Sequence, residues 1–389
     1  MNIHYLTDIY FGEKNAGTTH TLEIYNNLSK KNEVHLICQK PQPEIHLKNR
    51  CYIPLFGTTR IKRTILLNSL FWIIYPLYLL TKKKPDLFYQ RFDGTLFISP
   101  SLIFSKLFKI PLVMEVNGDM IDEISMRSEP QVYLEIIKLC EKNYYSNASR
   151  IIVVTEGIKK AIIKNYCIPE EKIEVIGNGV NTDIFRPLNN TSNLKKKYGF
   201  DEKNVVIFVG ILVEWQGLKY LVEAAPAVLE EKPDTVYLII GDGPLKNEIV
   251  QKVKDLRIHE KFIFTGFVSH EEVPLYINAS DVCVVPKIPL KSGYSPLKLY
   301  EYMACGKAVI ASDVRGFEIL EQAKAGILVE PQNSQKLSEA ILKVLEDEAL
   351  KREMGKRGYK EALMHHSWKS VAQKTEDLFI DVLQEKHGS

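Results

Sequence analysis

Lys298 and Glu301 are the two residues whose types and spacing are best suited to chemistry in this sequence. They lie three positions apart in the run LKLYEYMA, which is rich in good helix formers, so one helical turn places both side chains on one face. An ammonium group beside a helix N-terminus suits a phosphate, and a carboxylate one turn deeper suits ribose hydroxyl groups. The spacing predicts a nucleoside diphosphate site. A surface helix with an ordinary ion pair is an equally good interpretation.

The residues around this run predict how the helix begins and ends. We expect the Ser295 hydroxyl group to cap the helix, with Pro296 at the first helical position. Gly306 is expected to end it in the left-handed conformation, before an apolar run that predicts a buried strand. The free N–H groups of Leu297 and Lys298 would then face the phosphate-binding loop.

Short apolar, β-branched runs alternate with helical patterns along the chain, and this alternation predicts parallel α/β sheets. Two sets of six strand-like runs predict two doubly wound, Rossmann-like domains that face each other across a cleft. The predicted parts are a first domain at 1–178, a linker at 179–198, a second domain at 199–365, and a C-terminal helix at 366–389 that could cross back to the first domain.

The overall composition argues against several classes of protein. The net charge of +3 in 389 residues is too small for a nucleic-acid-binding surface. Six scattered cysteines and nine histidines show no metal-ligand spacing, so we expect no metal or cofactor, and His20 and His270 are expected to be satisfied by local contacts. The start of the chain has no signal peptide, which favours a cytoplasmic protein.

The stretch Ile65–Leu80 is apolar and has lysine and arginine residues at both ends. Sixteen helical residues at about 1.5 Å each span roughly 24 Å, which is shorter than the hydrocarbon core of about 30 Å. The stretch therefore predicts either a helix lying on the inner face of an anionic membrane or an ordinary helix packed on the sheet.

Ligands of doubly wound sheets bind at the carboxyl ends of the strands, so the loops there are candidate sites. Gly17 follows the first strand and would let a backbone approach a ligand closely. Arg91 is either an anion contact or a surface charge. Asn117 and Asp119 could bind sugar hydroxyl groups or simply form a turn. In the second half, Val268 lies where a backbone edge could meet a base.

Several motifs occur in the order known from one family: VIGNGVNTDIFRP, GDGP, FTGFV and SPLKLYEYMACGKAVIAS. In this order the chain, from Met1 to about Leu363, resembles the retaining nucleotide-sugar glycosyltransferases of family 4, which have the GT-B fold. The resemblance implies that the first domain binds the acceptor and the second binds the donor.

The resemblance also implies roles for individual residues. Glu301 corresponds to the glutamate that holds the ribose, and Leu297 and Lys298 to the residues at the diphosphate. The predicted donor site consists of Gly17, Gly210, Gln216, Val268, Tyr294, Ser295, Leu297, Lys298 and Glu301. The predicted catalytic residues are Lys298, Asn117 and Arg91, and the acceptor residues are Asn117 and Asp119.

This sequence departs from the family pattern at four positions. Gly293 stands where the family usually has a glutamate, and Ile211 and Gln216 stand where it has an arginine and a lysine. Asn117 stands where a histidine is common. Lys298 is the candidate replacement for the missing positive charge. The residues Arg91, Lys287 and Lys291 are candidate helpers.

The expected function is transfer of a hexosyl unit, with retention, from a nucleoside diphosphate sugar to a glycan, lipid-linked or small-molecule acceptor. UDP is favoured over GDP as the nucleotide, and cell-surface polysaccharide or glycolipid synthesis is the expected context. The alternative is a non-catalytic relative that binds nucleotide or regulates a partner, which the departures from the family pattern would explain.

Overall fold

The computed structural model describes residues 1–7, 16–39, 49–53, 70, 73–92, 100–118, 121, 131–290 and 293–388. The chain forms two compact units. The first contains Met1–Asn178 and Trp368–Ser389, and the second contains Gly179–Ser367. Each unit has one parallel sheet with flanking helices.

The sheet of the first unit has seven parallel strands among the described residues. They are β1 (Asn2–Thr7), β2 (Glu33–Gln39), β3 (Arg50–Ile53), β4 (Leu87–Phe92), β5 (Leu112–Val116), β6 (Arg150–Val153) and β7 (Ile173–Val175). They lie in the order β3-β2-β1-β4-β5-β6-β7. Every residue of β1 and β5 is buried, as expected of parallel strands that helices cover on both faces. The strand order reverses between β1 and β4.

The helices of the first unit include the last helix of the chain. They are Ala16–Leu28, residues 73–81, Pro100–Phe108, Gln131–Asn147, Glu156–Tyr166 and Trp368–Gly388, and a 3-10 turn lies at Glu170–Lys172. Phe379 of the last helix lies edge-on to Tyr89, with ring centroids 5.0 Å apart. The Lys31 ammonium group donates to Gln373 at 2.6 Å. The end of the chain therefore completes the core of the first unit.

The sheet of the second unit has six parallel strands. They are β8 (Asn204–Val209), β9 (Thr235–Ile240), β10 (Phe262–Gly266), β11 (Val282–Val285), β12 (Ala308–Ser312) and β13 (Gly326–Val329). Their order, β10-β9-β8-β11-β12-β13, is that of a Rossmann fold, and it reverses between β8 and β11.

Helices alternate with these strands along the chain, as in a doubly wound sheet. They are Ser192–Tyr198, Leu218–Glu231, Lys246–Asp255, Val273–Ala279, Leu297–Ala304, Ile319–Gln322, Ser334–Glu346 and Glu348–His365, and 3-10 turns lie at Glu214–Gln216 and His259–Lys261. Local sequence explains one boundary clearly: the Asn333 side chain accepts a hydrogen bond from the Lys336 N–H group at 2.9 Å and so caps its helix.

The prediction of two doubly wound parallel sheets is confirmed, but the predicted count of six strands in the first sheet is wrong. The additional strand is Arg50–Ile53, an edge strand of four residues. Hydrophobic periodicity does not predict this strand, because it is too short to show a pattern and follows a polar segment.

Residues 179–198, predicted as a linker, pack within the second unit. Val180, Phe185 and Leu194 are buried in its core, and Phe185 is only 1% exposed. The return to the first unit comes at Trp368, two residues after the predicted start of the C-terminal segment. Apolar side chains in a stretch without periodicity can thus belong to a core.

Candidate active site

The carboxyl ends of β8 and β11 mark the point where the strand order of the second sheet reverses. Ligands of doubly wound folds bind at such a point. The loop after β11 leads into the helix Leu297–Ala304, which carries Lys298 and Glu301. This edge of the second unit is therefore the candidate active site.

The helix that carries Lys298 begins one residue later than predicted. Pro296, and not Ser295, is the cap residue; it has φ −84° and ψ 43°, and its own side chain forms no capping hydrogen bond. The Leu297 N–H group donates to the Ser295 carbonyl at 3.0 Å, so it is not free for a phosphate. The predicted Ser295 cap and the free Leu297 N–H group are both wrong, because Pro296 is not in helical conformation and the first turn shifts along the chain.

The end of this helix follows the prediction. Gly306 has φ +70°, and its N–H group donates to Met303 at 2.8 Å while that of Lys307 donates to Tyr302 at 3.2 Å. These two bonds form a Schellman motif, which satisfies carbonyl groups at the helix end. The short helix is therefore held in place at its C-terminus, and its first turn has a fixed position.

Glu301 is a buried carboxylate that contacts two basic side chains. Lys298 Nζ lies 2.6 Å from one carboxylate oxygen, and His270 Nε2 lies 3.4 Å from the other. Glu301 is 8% exposed, whereas the side chains of Lys298 and His270 are 30% and 41% exposed. The ion pair of the alternative interpretation is therefore present, but its carboxylate is buried and not on the surface, and its partners reach solvent.

The charge of Glu301 follows from these contacts. Burial alone would raise its pKa, but the Lys298 ammonium group and the His270 ring together hold the pKa below the usual value. The group is therefore an ionised acceptor at neutral pH. A carboxylate has about four lone-pair directions, so Glu301 can accept hydroxyl groups of a ligand while it keeps its two protein partners.

Tyr294 joins the loop after β11 to its neighbours. Its hydroxyl group donates to the Ile288 carbonyl at 2.7 Å and lies 3.3 Å from the Trp215 carbonyl. Its N–H group donates to the Arg315 carbonyl at 2.9 Å. Lys287 Nζ lies over the Tyr294 ring, 4.2 Å from the centroid. Tyr294 thus fixes the loop and supports a lysine at the carboxyl end of β11.

The loop after β8 carries no cation at the two positions where the family pattern has them. Ile211 is 53% exposed, and the Gln216 side chain lies 3.5 Å from the point where a Cβ atom on Gly210 would stand. Gly217 has φ +69°, and a Cβ atom there would lie 1.8 Å from the Pro286 carbonyl oxygen. Only glycine permits this approach, so the loops after β8 and β11 touch.

Gly293 stands where the family pattern has a glutamate, and its geometry excludes a side chain. Its φ is +74°, and a Cβ atom would lie 2.8 Å from the Arg315 carbonyl oxygen and 3.0 Å from Arg315 Cγ. The backbone conformation of this loop therefore leaves no room for the glutamate of the family pattern.

The loop after β10 carries the predicted base contact. Val268 is partly buried against the core of the second unit, while Phe267 beside it is 85% exposed. His270 in the same loop contacts Glu301. The structure therefore brings the predicted residues Val268, Tyr294, Lys298 and Glu301 to one edge of the second unit. Sequence reasoning missed His270, because nothing in its local sequence indicates Glu301 as a partner.

The predicted residues of the first unit lie at the ends of paired strands. Arg91, in β4, is 5% exposed, so the interpretation as a surface charge is wrong. Asn117 follows β5, and its Nδ2 atom is a buried donor with no hydrogen-bond partner among the described residues. Gly17 lies in the first turn of the helix Ala16–Leu28. Asp119 lies outside the described residues.

A buried network around Glu115 lies in the same unit. Glu115 forms an ion pair with His20 and accepts a hydrogen bond from the Tyr89 hydroxyl group at 2.6 Å. His20 Nδ1 lies 2.5 Å from Asn178 Oδ1, and the His20 ring meets Trp368 edge-on at 4.9 Å. His20 is satisfied, but not by the local contacts that we expected: its partners Glu115, Asn178 and Trp368 come from three distant segments that local sequence cannot indicate.

Two further searches of the described residues bear on the sequence predictions. They contain no group of three or more His, Cys, Asp or Glu residues that could hold a metal ion. Within the same part of the chain, no helix combines the length and the apolar content needed to cross a bilayer.

Family comparisons agree with this fold. The family profile Glycosyl transferases group 1 matches residues 190–361, and Glycosyltransferase Family 4 matches residues 17–184. The chain belongs to the family 4, group 1 glycosyltransferases, as its motifs predicted.

Individual relatives are distant. The uncharacterized glycosyltransferase MJ1607 of Methanocaldococcus jannaschii is 26% identical over 269 residues, which cover 67% of this chain and 65%, slightly less than two thirds, of that protein. The Escherichia coli UDP-Gal:alpha-D-GlcNAc-diphosphoundecaprenol alpha-1,3-galactosyltransferase is 27% identical over 361 residues, 91% of this chain and 90% of that one. The crystal structure of Anabaena Alr3699/HepE in complex with UDP has a TM-score of 0.77 at 19% identity and covers 98% of this chain and 100% of that chain. The predicted GT-B fold class is thereby confirmed.

Proposed function

We propose that this protein transfers a hexosyl unit from a nucleoside diphosphate sugar to an acceptor hydroxyl group, with retention of the anomeric configuration. The observation that carries the proposal is the cluster of Lys298, Glu301 and His270 at the switch point of the second sheet. Membership of a glycosyltransferase family supports the type of reaction.

In the proposed reaction, the bond between the anomeric carbon and the diphosphate oxygen breaks, and a bond to the acceptor oxygen forms on the same face. The acceptor proton passes to the departing phosphate oxygen, so no protein nucleophile is needed. Negative charge grows on the diphosphate, and a nearby ammonium group such as that of Lys298 stabilises it. Glu301 accepts hydrogen bonds from the ribose hydroxyl groups and so positions the nucleotide.

We favour UDP over GDP as the nucleotide. The named donor of the Escherichia coli relative is UDP-Gal, and HepE was crystallised with UDP. The base would lie at the loop that contains Val268, and the Gln216 amide group at Gly210 would face the donor from the loop after β8. The positive charge of lysine side chains would meet the diphosphate, so we propose that no metal ion is required.

The acceptor is proposed to bind the first unit. Asn117 offers a buried, unused donor next to β5, which suits a sugar hydroxyl group, and Asp119 follows it in the chain. Arg91 lies at the end of the neighbouring strand, where a cation would attract the phosphate of a lipid-linked acceptor.

We also propose that the first unit binds an anionic membrane surface, which would bring it to a lipid-linked acceptor used in cell-surface polysaccharide or glycolipid synthesis. Of the stretch Ile65–Leu80, the structure describes residue 70 and residues 73–80. The side chains of Leu80 and Leu107 are 83% and 66% exposed. Lys84, which follows the first of the two helices that carry them, donates from Nζ to the Phe108 carbonyl at the end of the second, at 3.3 Å. Exposed apolar side chains beside Lys82, Lys83 and Lys84 suit an anionic leaflet.

The membrane proposal is tested by co-sedimentation with vesicles of phosphatidylglycerol or of phosphatidylcholine. We expect binding to the anionic vesicles, release by salt, and loss of binding in the double variant Leu80→Glu and Leu107→Glu. Leu256→Glu, at a 39% exposed leucine of the second unit, is the matched control. Failure of the wild-type protein to bind anionic vesicles would end this proposal and would leave the transfer reaction untouched.

The transfer proposal is tested by two measurements on the wild-type protein and on Lys298→Ala and Glu301→Ala. A thermal-shift screen with nucleoside diphosphates and their sugars should raise the melting temperature of the wild-type protein, because a ligand that binds only the folded state stabilises it. Donor hydrolysis should fall in both variants. Unchanged hydrolysis in both variants would contradict the assignment.

A non-catalytic nucleotide-binding relative is the second candidate. The geometry at Gly293 favours it, since this loop cannot carry the family glutamate without moving. Calorimetry with UDP and GDP beside a turnover assay separates the two candidates, because binding without turnover on any acceptor would support the non-catalytic protein.

A further inference from the structure

Lys287 is a cation in an unusual position. It lies two residues after the end of β11, and its ammonium group lies over the Tyr294 ring, 4.2 Å from the centroid. Among the residues that the structure describes, no carboxylate forms an ion pair with it. A lysine that turns inward without a counter-ion is rare, because removing a charge from water is costly unless the charge is paired.

Two other lysines of the same unit show the contrast. Lys298 is paired with Glu301 at 2.6 Å. Lys307 is half-buried, as Lys287 is, but its ammonium group donates to the carbonyl groups of Asn278 and Ser280, both at 2.8 Å. Among the described residues, Lys287 has neither a carboxylate partner nor such a set of carbonyl groups, so its charge is available to a ligand.

The place of Lys287 matches the charge that is missing after β8. The carbonyl group of Pro286, the preceding residue, meets Gly217 so closely that no side chain fits there. The Ile288 N–H group donates to the Trp215 carbonyl at 3.3 Å. Lys287 is therefore distant from Gln216 in sequence but lies where the two loops touch.

We propose that Lys287 binds the diphosphate of the donor and replaces the cation that the family carries in the loop after β8. This inference rests on the proposed function and adds a residue to its site. With an anion between them, Lys287 and Lys298 would no longer repel each other, so the site is arranged for a ligand that carries at least two negative charges.

The protonation of Lys287 gives this inference a distinctive signature. Burial, and then the charge of Lys298, lower the pKa of Lys287 to about 8. Burial raises the pKa of Tyr294, whose ring lies beneath the ammonium group, to about 12, Glu301 is already ionised, and His270 contacts Glu301. Glu214 in the touching loop is paired with Lys219. A bound diphosphate favours the charged lysine, so binding at pH 8.5 should take up a proton.

The test is calorimetric titration of UDP at pH 7.0 and pH 8.5, in two buffers that differ in ionisation enthalpy. For the wild-type protein we expect an uptake of about 0.5–0.8 proton at pH 8.5 and little at pH 7.0. Lys287→Gln should abolish the uptake and weaken UDP binding by about 10-fold or more. Lys287→Arg should retain much of the affinity without the uptake, because arginine keeps its charge at both pH values.

Lys336→Gln, at an exposed lysine paired with Glu339, is the control and should behave as the wild-type protein. Unchanged UDP affinity in Lys287→Gln, or proton uptake that persists in Lys287→Arg, would overturn the role of Lys287 while the proposed function stands. A wild-type protein that binds no nucleoside diphosphate at pH 7.0 would overturn both. The melting temperature of each variant shows whether it is folded. If Lys287→Gln does not fold, Lys287→Arg still decides the test through its proton uptake.

Discussion

Each unit contains a buried glutamate that contacts a histidine, but the two clusters differ in what surrounds them. In the first unit, Glu115 and its partner His20 have side chains that are 2% and 5% exposed. In the second unit, the Glu301 side chain is 11% exposed, and the side chains of Lys298 and His270 are 30% and 41% exposed. The first cluster has all its partners inside the protein, whereas the second presents its partners to solvent.

This difference separates a buried structural contact from the proposed binding site. His20 joins the helix Ala16–Leu28 to Asn178 and Trp368, the residues where the chain leaves and re-enters the first unit. That cluster holds distant segments together. The Glu301 cluster joins only a loop and a helix, at the strand ends where ligands of this fold bind. The same pair of residue types can therefore serve stability or binding, and access to solvent decides which.

The largest expected effect is the loss of stability in Glu115→Gln. This change leaves the buried His20 without its carboxylate partner, so we expect a loss of about 3–5 kcal/mol in the free energy of unfolding, measured by urea denaturation. Glu33→Gln is the control in the same unit, since Glu33 also pairs with a histidine, His35, but is 56% exposed, and this change should alter stability by less than about 1 kcal/mol. Equal losses in both variants would contradict the comparison.

Lys298→Ala and Glu301→Ala should lower the transfer rate by about 100- to 1000-fold, which is the range seen when a group that stabilises developing charge is removed. The measurement is the initial rate at saturating donor. The matched control is Lys336→Ala with Glu339→Ala, an exposed pair with the same spacing and an Nζ–Oε2 distance of 2.8 Å. If the control pair lost as much activity, the Glu301 cluster would not be the site.

The Glu115 cluster should also make the stability of the protein depend on pH in acid. Burial would raise the pKa of Glu115, but His20 and then Arg91 lower it to about 2. Because this pKa is below that of the unfolded chain, the stability it contributes is present above about pH 4.5 and is lost as the pH falls towards 2. We expect Glu115→Gln to flatten this part of the pH–stability curve, measured by urea denaturation at pH 3, 4 and 5. A curve with the same slope in both proteins would show that Glu115 is not the group responsible.

Restoring the family glutamate should not improve the enzyme. Gly293→Glu places a side chain at φ +74° against the Arg315 carbonyl, so we expect a loss of about 1–3 kcal/mol and no gain in transfer rate. Gly199→Ala separates the cost of the positive φ from the cost of the steric clash. Gly199 also has a positive φ of +67°, but no atom lies within 4 Å of its added Cβ. A comparison of Gly293→Ala with Gly199→Ala by thermal denaturation should show the larger loss at Gly293.

The smallest expected effect is that of removing metal ions. Because Lys287 and Lys298 supply positive charge to the proposed diphosphate site, we expect EDTA to leave the transfer rate unchanged within about twofold. The control adds Mg²⁺ back after EDTA. A loss of rate that Mg²⁺ restores would show that the lysines do not suffice.

The sequence could predict the features that depend on residues close together in the chain. The spacing of Lys298 and Glu301 predicts their contact, and the glycine after a short helix predicts the left-handed end at Gly306. The alternation of strands and helices predicts two doubly wound sheets, because burial on both faces requires continuous apolar runs. The failed Ser295 cap is a local error, since the conformation of a proline at a helix start depends on the loop before it.

The remaining features depend on contacts between distant segments. His20 meets Glu115 across the sheet, and Lys287 faces the site because the Tyr294 ring lies beneath it. Neither partner is indicated by spacing in the chain. The four-residue strand Arg50–Ile53 forms because β2 offers an edge, which periodicity does not reveal.

The most direct test is a UDP titration of Lys298→Ala beside Glu115→Gln, at a temperature where both variants are folded. We predict that Lys298→Ala weakens UDP binding by about 10-fold or more and that Glu115→Gln binds UDP as the wild-type protein does. Wild-type affinity in Lys298→Ala, or an equal loss in both variants, would contradict the claim that the solvent-accessible cluster of the second unit is the nucleoside diphosphate site.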